Sequence, residues 1–246
     1  LEESQEVYEG EWSLGRRHGN GVCLYPDGSL YEGNWLRGRE HGRGCLMTHN
    51  RSIIYEGEWQ DGLMQGKGVY TYANGDVYRG EFREGHRHGS GLYEFKNGCV
   101  YQGEWRDNQR HGKGHFSWPD QSYYDGEWDS GFRHGRGILV LSTGFRYDGT
   151  FSRNFMDGRG TAVFPSGQQY DGSFKLGLRD GRGSVTFAEG ALYEGRFRED
   201  HVEGQGTLKV FKAVPGVSAN EMYIPVEIQA DLKRVHYKAG FSGGHH

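Results

Sequence analysis

The chain has 246 residues, of which 43 are glycine, 14% are aromatic and only 34% are hydrophobic. Compact globular domains are closer to half apolar, so this composition argues against one thick core and favours repeats that contact only their neighbours. The formal net charge of -4 gives no general attraction to polyanions, so we expect no nucleic-acid partner.

A tyrosine opens the same phrase, Tyr-acidic-Gly-x-aromatic, in nine successive repeats that are 23 residues apart, except for one interval of 24. Residues two apart in a strand point to the same side, so the tyrosine, the glycine and the second aromatic residue share one face. We expect the glycine to leave room for an aromatic ring to lie across bare backbone. The opening tyrosines are Tyr8, Tyr31, Tyr55, Tyr78, Tyr101, Tyr124, Tyr147, Tyr170 and Tyr193.

The second half of each repeat predicts a tight turn and a second strand. A Gly, Asn or Asp stands seven places after the tyrosine, where a turn residue with positive φ is expected. A Gly-x-Gly element such as Gly19–Gly21 follows, and then an alternating segment that ends in a turn such as Ala73–Gly75. The fold class predicted is all-β: an elongated, single-layer antiparallel β-meander of nine hairpins. The one extra residue near His49–Ser52 predicts a bulge or a longer turn.

The repeat register divides the chain into three segments. Residues 1–7 are a lead-in that we expect to continue from upstream sequence, residues 8–214 carry the nine repeats, and residues 215–246 form a tail. Within the tail, apolar residues fall on one helical stripe, which predicts a short amphipathic helix over 225–239. We expect this helix to cap the open end of the array, with partner binding as the alternative role. The stripe consists of Ile228, Leu232, Val235 and Ala239.

Charges are sorted along each repeat. The residue after the tyrosine is acidic in seven repeats, and the middle residue of Gly-x-Gly is basic in six. Exposed ion pairs contribute little to stability, so solubility and cross-strand pairing are the favoured roles. The alternative is contact with anionic lipid, for which the candidate residues are Arg43, Lys67, Lys113, Arg136, Arg159 and Arg182.

No constellation in the sequence predicts catalysis, a metal site or a cofactor. One histidine per hairpin, about 9–10 Å from the next, cannot converge on a single metal ion, so we expect each to pack within its own turn. The glycine pairs lead into strands, whereas phosphate-binding glycine loops open helices. Three cysteines without a C-x-x-C motif are expected to be reduced thiols. The histidines in question are His18, His41, His88, His111 and His134.

The aromatic face is where we expect a partner protein to bind. Contiguous exposed aromatic side chains mark interaction surfaces, and a groove of Tyr, Trp and Phe suits an extended or helical segment. The predicted groove residues are Tyr8, Trp12, Tyr31, Trp35, Tyr55, Trp59, Tyr78, Phe82, Tyr101, Trp105, Tyr124 and Trp128.

The repeat resembles the MORN (membrane occupation and recognition nexus) family over roughly residues 8–214. Phrases such as Tyr55-Glu-Gly-Glu-Trp59, followed by Gly66-Lys-Gly68, carry the resemblance. It implies a non-catalytic scaffold of the cytoplasm and cytoskeleton, for example in a cilium or flagellum axoneme, as in radial-spoke head subunits. The partners implied are cytoskeletal or axonemal proteins, with a second copy of the chain as a further expectation. Two alternatives stay open: phosphoinositide recognition that links membrane to cytoskeleton, and a regulatory repeat array of a larger enzyme.

Overall fold

The structure is a computed structural model that describes residues 6–188, 190–213 and 223–233. Strands and the turns between them account for these residues, and no helix occurs among them. The strands belong to two compact units, unit 1 (Leu1–Gly131) and unit 2 (Phe132–His246).

Unit 1 contains eleven strands, and consecutive strands within the unit pair antiparallel in sequence order. Consecutive pairing of this kind is the predicted meander of hairpins, which is confirmed. The strands are β1 (Val7–Ser13), β2 (Arg16–Leu24), β3 (Leu30–Leu36), β4 (Arg39–Met47), β5 (Ile53–Gln60), β6 (Leu63–Thr71), β7 (Val77–Arg83), β8 (His86–Glu94), β9 (Val100–Arg106), β10 (Gln109–Ser117) and β11 (Tyr123–Asp129).

Unit 2 repeats the same arrangement with eight strands, again paired antiparallel in sequence order. The strands are β12 (Phe132–Val140), β13 (Arg146–Ser152), β14 (Phe155–Val163), β15 (Gln169–Lys175), β16 (Leu178–Thr186), β17 (Leu192–Arg198), β18 (His201–Ala213) and β19 (Tyr223–Lys233).

Two consecutive residues of each tight turn have positive φ, the geometry of a type I′ hairpin. The second of them is the predicted Gly, Asn or Asp, for example Gly85 with φ 81° and Asn108 with φ 67°. The first, such as Glu84 with φ 51°, also has positive φ, although it is rarely a residue that favours this region. The sequence predicted only the second of these two positions.

The extra residue of the second repeat forms a bulge in β5. Leu46 lies opposite Tyr55, and Met47 lies opposite Ile53, so Ile54 has no partner of its own in the ladder. A bulge absorbs an inserted residue without turning the following side chains to the other face. Tyr55 therefore stays on the aromatic face.

An aromatic ladder forms the core of each unit; it consists of the opening tyrosine of every repeat and the Trp or Phe four residues later. Within each unit, every tyrosine except the last packs edge to face against the ring of its own repeat and against that of the next repeat. The ring centroid of Tyr55 lies 5.1 Å from that of Trp59 and 5.1 Å from that of Phe82. Burial raises the pKa of Tyr147 and of Tyr170 to about 12, so these two phenols keep their protons.

Pairs of glycines give each tyrosine ring the space that it occupies. Gly80 and Gly91 lie opposite each other in β7 and β8, and the ring of Tyr78 crosses them. A Cβ atom at Gly91 would lie closer than 3.0 Å to the ring and the hydroxyl of Tyr78. That hydroxyl donates a hydrogen bond to the backbone oxygen of Glu81 at 2.9 Å. The predicted role of glycine beneath an aromatic ring is confirmed.

The tail differs from the predicted helix over 225–239. Residues Tyr223–Lys233 form β19, which pairs with β18 along its whole length. A period of two explains this, because apolar residues alternate with polar ones and a proline, as in a strand. The remainder of the predicted helix and the lead-in before residue 6 lie outside the described residues. The alternating apolar residues are Ile224, Val226, Ile228, Ala230 and Leu232.

Candidate functional site

The structure brings the twelve predicted groove residues together in the ladder of unit 1, but it buries ten of them. The buried tyrosines have 0% exposure, and their Trp and Phe neighbours range from 3% at Trp35 to 8% at Trp59. Only Trp12, at 59% exposure, and the half-buried Tyr8 remain accessible. The structure therefore corrects the expectation of an exposed groove, because these rings bury one another. The ten are Tyr31, Trp35, Tyr55, Trp59, Tyr78, Phe82, Tyr101, Trp105, Tyr124 and Trp128.

A second row of aromatic side chains lies on the same face of unit 1, in the Gly-x-Gly strands and just beyond their ends. Its rings follow one another closely: the Tyr93 centroid lies 5.5 Å from Tyr72 and 4.5 Å from Phe95, and Phe116 lies 4.7 Å from Trp118. Four of its members are half-buried rather than enclosed. This accessible aromatic row consists of Tyr70, Tyr72, Tyr93, Phe95, Phe116 and Trp118, of which Tyr93 and Phe116 are buried.

Arginines stack on the ladder, a contact that was not predicted from the sequence. The guanidinium carbon of Arg110 lies 4.3 Å from the centre of the Trp128 ring, and its Nη2 donates to the backbone oxygen of Gly131 at 3.0 Å. Arg87 stands in the same way over Trp105, at 4.4 Å. Each guanidinium thus ties its hairpin to the next by a cation–π contact and a hydrogen bond. The sequence signal for this contact is an arginine directly before the His-Gly or Asp-Gly pair of a repeat. It occurs at Arg17, Arg87, Arg110, Arg133 and Arg179.

We expect Arg110→Ala to lower the free energy of unfolding by about 1–2 kcal/mol, because it removes both the stacking on Trp128 and a hydrogen bond to the next turn. Urea denaturation followed by far-ultraviolet circular dichroism measures the change. The control is Arg106→Ala, at an exposed position of β9, which should change the free energy of unfolding by less than about 0.5 kcal/mol. Equal effects of the two substitutions would contradict the linking role of Arg110.

Three histidines of the column lie near a carboxylate of the following hairpin. Nδ1 of His111 lies 3.3 Å from a carboxylate oxygen of Asp129, and Nδ1 of His88 lies 3.8 Å from one of Asp107. Both aspartates belong to the following hairpin, and His41 shows the same arrangement. Among the residues that the structure describes, no group of three or more His, Cys, Asp or Glu is placed to hold a metal ion.

The three cysteines are free, as expected. Cys23 and Cys99 are buried, and Cys45 is half-buried. Burial raises the pKa of the Cys23 thiol to about 12, so its reactive thiolate form is suppressed.

All six candidate lipid contacts are exposed, and in each unit they face away from that unit's ladder. In unit 1 each of them lies directly opposite a glutamate of the next strand. These pairs are Arg43 with Glu58, Lys67 with Glu81 and Lys113 with Glu127. No helix in the described part of the chain is long and apolar enough to cross a bilayer.

Comparison with curated proteins and with solved structures gives at most distant similarities. A search among curated proteins gives no match. Among solved structures, the TCP domain of SAS-4 (dCPAP) of Drosophila melanogaster, in complex with a proline-rich motif of Ana2 (dSTIL), is 14% identical, with a TM-score of 0.38, over 65% of this chain and 83% of that chain. The TCP10 domain of Danio rerio CPAP is 14% identical, with a TM-score of 0.43, over 86% of this chain and 99% of that chain. Similarity this low establishes neither a common fold nor a common function.

The profile of the MORN repeat matches eight consecutive stretches of this chain. The matched residues are 8–30, 31–50, 55–77, 78–100, 101–123, 124–146, 147–169 and 170–191. The ninth hairpin lies beyond these matches, although its Tyr193 crosses Gly206 as the earlier tyrosines cross their glycines. Because the matches take in most of the chain, this protein belongs to the MORN repeat family.

Proposed function

We propose that this protein is a non-catalytic interaction scaffold that holds a segment of a partner protein on the accessible aromatic row of unit 1. The observation that carries the proposal is the row itself, a run of rings in contact with one another and partly open to solvent. Tyr and Trp are enriched at protein interfaces because they offer a large apolar area together with a polar group.

The buried ladder supports this surface from beneath. Tyr93 of the row contacts Trp105 of the ladder at 5.8 Å between centroids, and Phe116 contacts Trp128 at 6.2 Å. Rings held in this way are already in place before a partner arrives, so binding costs little conformational entropy. In this proposal the buried groove residues position the row, which binds the partner. Of the twelve predicted groove residues, only Tyr8 and Trp12 touch the partner directly.

The cellular setting that we propose is the cytoplasm, at the cytoskeleton or at a ciliary or flagellar axoneme. The support for this setting is the family resemblance. Salt-resistant association with cytoskeletal or axonemal proteins is the behaviour that it predicts.

We expect the double variant Tyr72→Ser with Trp118→Ser to lose its partners. The test is affinity purification of the full-length protein from its native cells, with a high-salt wash and mass spectrometry. Removing two accessible rings should reduce the recovery of specific partners by about tenfold or more, because such rings dominate interface energies. Circular dichroism checks that the variant is folded.

The matched control is Leu14→Ser with Leu63→Ser, which removes two exposed apolar side chains of unit 1 outside the row. This control should keep every partner of the wild type. Partners that survive loss of the row, in a folded protein, would contradict the proposed surface.

Recognition of anionic lipid is the second candidate function, and the observation in its favour is the exposure of the basic residues on the outer side of each unit. It predicts co-sedimentation with phosphoinositide-containing vesicles that falls as salt is added. Under the scaffold proposal, the full-length protein stays in the supernatant. The third candidate, a regulatory array of a larger enzyme, is decided by the full reading frame.

A further inference from the structure

An exposed apolar stripe runs along the tight-turn edge of unit 2, and the proposed function does not use it. Phe132, Phe155 and Leu178 are 47%, 50% and 40% exposed and begin the successive strands β12, β14 and β16. Leu176, in the turn before β16, is 63% exposed. Unit 1 is mostly polar at the same repeat position, where it has Arg16, Arg39, Leu63, His86 and Gln109.

A row of arginines accompanies the stripe on the same side of the sheet. Phe155 is next to Met156, which lies opposite the ladder residue Phe151, so Phe155 faces away from the ladder. Arg159 precedes Gly160, which the ladder residue Tyr147 crosses, so Arg159 faces away as well. Both rows therefore lie on the outer side and recur once per hairpin. The basic row consists of Arg136, Arg159 and Arg182, all exposed.

The acidic side chains that face these basic positions in unit 1 are replaced in unit 2. Where unit 1 places a glutamate opposite the middle residue of Gly-x-Gly, unit 2 has Thr150, Ser173 and Arg196. The carboxylates of Asp157 and Asp180 nearby accept hydrogen bonds from backbone N–H groups of the next turns. A positive row thus adjoins an apolar row.

Carboxylates on the same side offset part of this positive charge. Asp148 is paired with Arg146 at 3.0 Å, and Glu194 with Lys209 at 3.3 Å. Asp171 lies 3.5 Å from Arg159, and both side chains are largely exposed, so water screens their attraction. Glu203 is paired with Arg198 at 3.3 Å. The surface as a whole is complementary to a partner that is both acidic and apolar.

We propose that this outer surface of unit 2 binds an acidic amphipathic helix of a partner protein, laid across the strands. Two strands per hairpin set the stripe residues about 9–10 Å apart. A helix rises about 1.5 Å per residue, so its positions seven apart are separated by about 10.5 Å. An apolar residue at every seventh position meets Phe132, Phe155 and Leu178 in turn, and acidic residues at the same interval meet the arginines.

The repeat of both rows once per hairpin favours a helix over a membrane, because a bilayer requires no such register. The probe is a fluorescent synthetic peptide of about three heptads, with leucine at every seventh position and glutamate beside it. A control peptide of the same composition has its leucines five residues apart. Fluorescence anisotropy with the full chain at low salt measures binding.

We expect the heptad peptide to bind the wild type about tenfold more tightly than the control peptide does. Phe155→Ser with Leu178→Ser should weaken this binding about tenfold, and Arg159→Gln with Arg182→Gln should weaken it and reduce its salt dependence. Leu63→Ser, at the same repeat position of unit 1, is the matched control and should bind as the wild type does.

Three results would overturn the proposal. They are no binding of the heptad peptide, equal binding of the two peptides, and unchanged binding to the stripe variant. Vesicles of phosphatidylcholine and phosphatidylserine form a separate arm. If the chain binds these vesicles through Phe155 and Leu178 while the peptide does not bind, this surface contacts membrane. The proposal of a helical partner is then wrong.

Discussion

Gly91→Ala is expected to lower the free energy of unfolding by about 3 kcal/mol or more, because the core around it cannot accept a methyl group. The new Cβ would meet the ring of Tyr78, which is fully buried. This ring has no room to retreat, since its centroid lies 5.1 Å from Phe82 and 5.4 Å from Trp105. The measurement is urea denaturation followed by circular dichroism.

Gly85→Ala separates this packing effect from backbone strain. Gly85 has φ 81°, but a Cβ there would meet nothing within 4 Å. Its replacement should cost only the strain of a positive φ, about 1 kcal/mol. If Gly91→Ala is no worse than Gly85→Ala, the tyrosine does not need the glycine beneath it, and the description of the core is wrong.

Trp105→Ala is expected to lower the free energy of unfolding by about 3–5 kcal/mol, the usual range for a large buried aromatic residue. Trp105 is 6% exposed and packs against Tyr78 of one hairpin and Tyr101 of its own. Its Nε1–H donates to the backbone oxygen of Gly91 at 3.3 Å, and Arg87 covers its face. One substitution therefore removes several links between two hairpins, and thermal or urea unfolding measures their joint contribution.

Trp12→Ala is the control for position in the repeat. Trp12 occupies the same place in the first repeat, but it is 59% exposed and packs against the single tyrosine Tyr8. Its replacement should change the free energy of unfolding by about 1 kcal/mol or less. Similar costs for Trp12→Ala and Trp105→Ala would mean that contact between neighbouring repeats contributes little.

The hairpins and their glycines followed from the sequence, because both depend on short-range geometry. A period of 23 with Tyr, Gly and Trp at alternate places defines a strand and its inner face without any knowledge of the neighbours. The turn at Gly85 followed in the same way, from the residue types that tolerate positive φ. Family membership followed from the same columns and is shown by the profile matches.

Exposure of the aromatic face did not follow, because burial in this fold comes from the adjacent repeats. Taken alone, a hairpin with Tyr101 and Trp105 presents two open rings, which is why an aromatic groove was expected. In the structure the Trp128 ring lies 5.3 Å from Tyr101, and Arg87 covers Trp105. The sequence of a repeat does not show how far the neighbouring repeat covers it. Rings that the sequence predicts to be exposed are therefore part of the core.

The tail shows how two periods can share the same residues. Ile228 and Leu232 are four apart, which fits one face of a helix and also one face of a strand. Ile224, Val226 and Ala230 favour the strand, because together with Ile228 and Leu232 they fall at every second position. Strand β18 also offers a backbone edge for pairing, and such tertiary context overrides local preference.

Hydroxyl-radical footprinting of the full-length protein, with and without the partner recovered from its native cells, tests the proposed surface and the proposed core together. Tyr72, Phe95 and Trp118 are expected to be oxidised in the free protein and protected by the partner. Tyr78 and Tyr101 are expected to stay unmodified in both states. Oxidation of Tyr78 and Tyr101 in the folded free protein would contradict the proposed core, and full reactivity of the row in the complex would contradict the proposed surface.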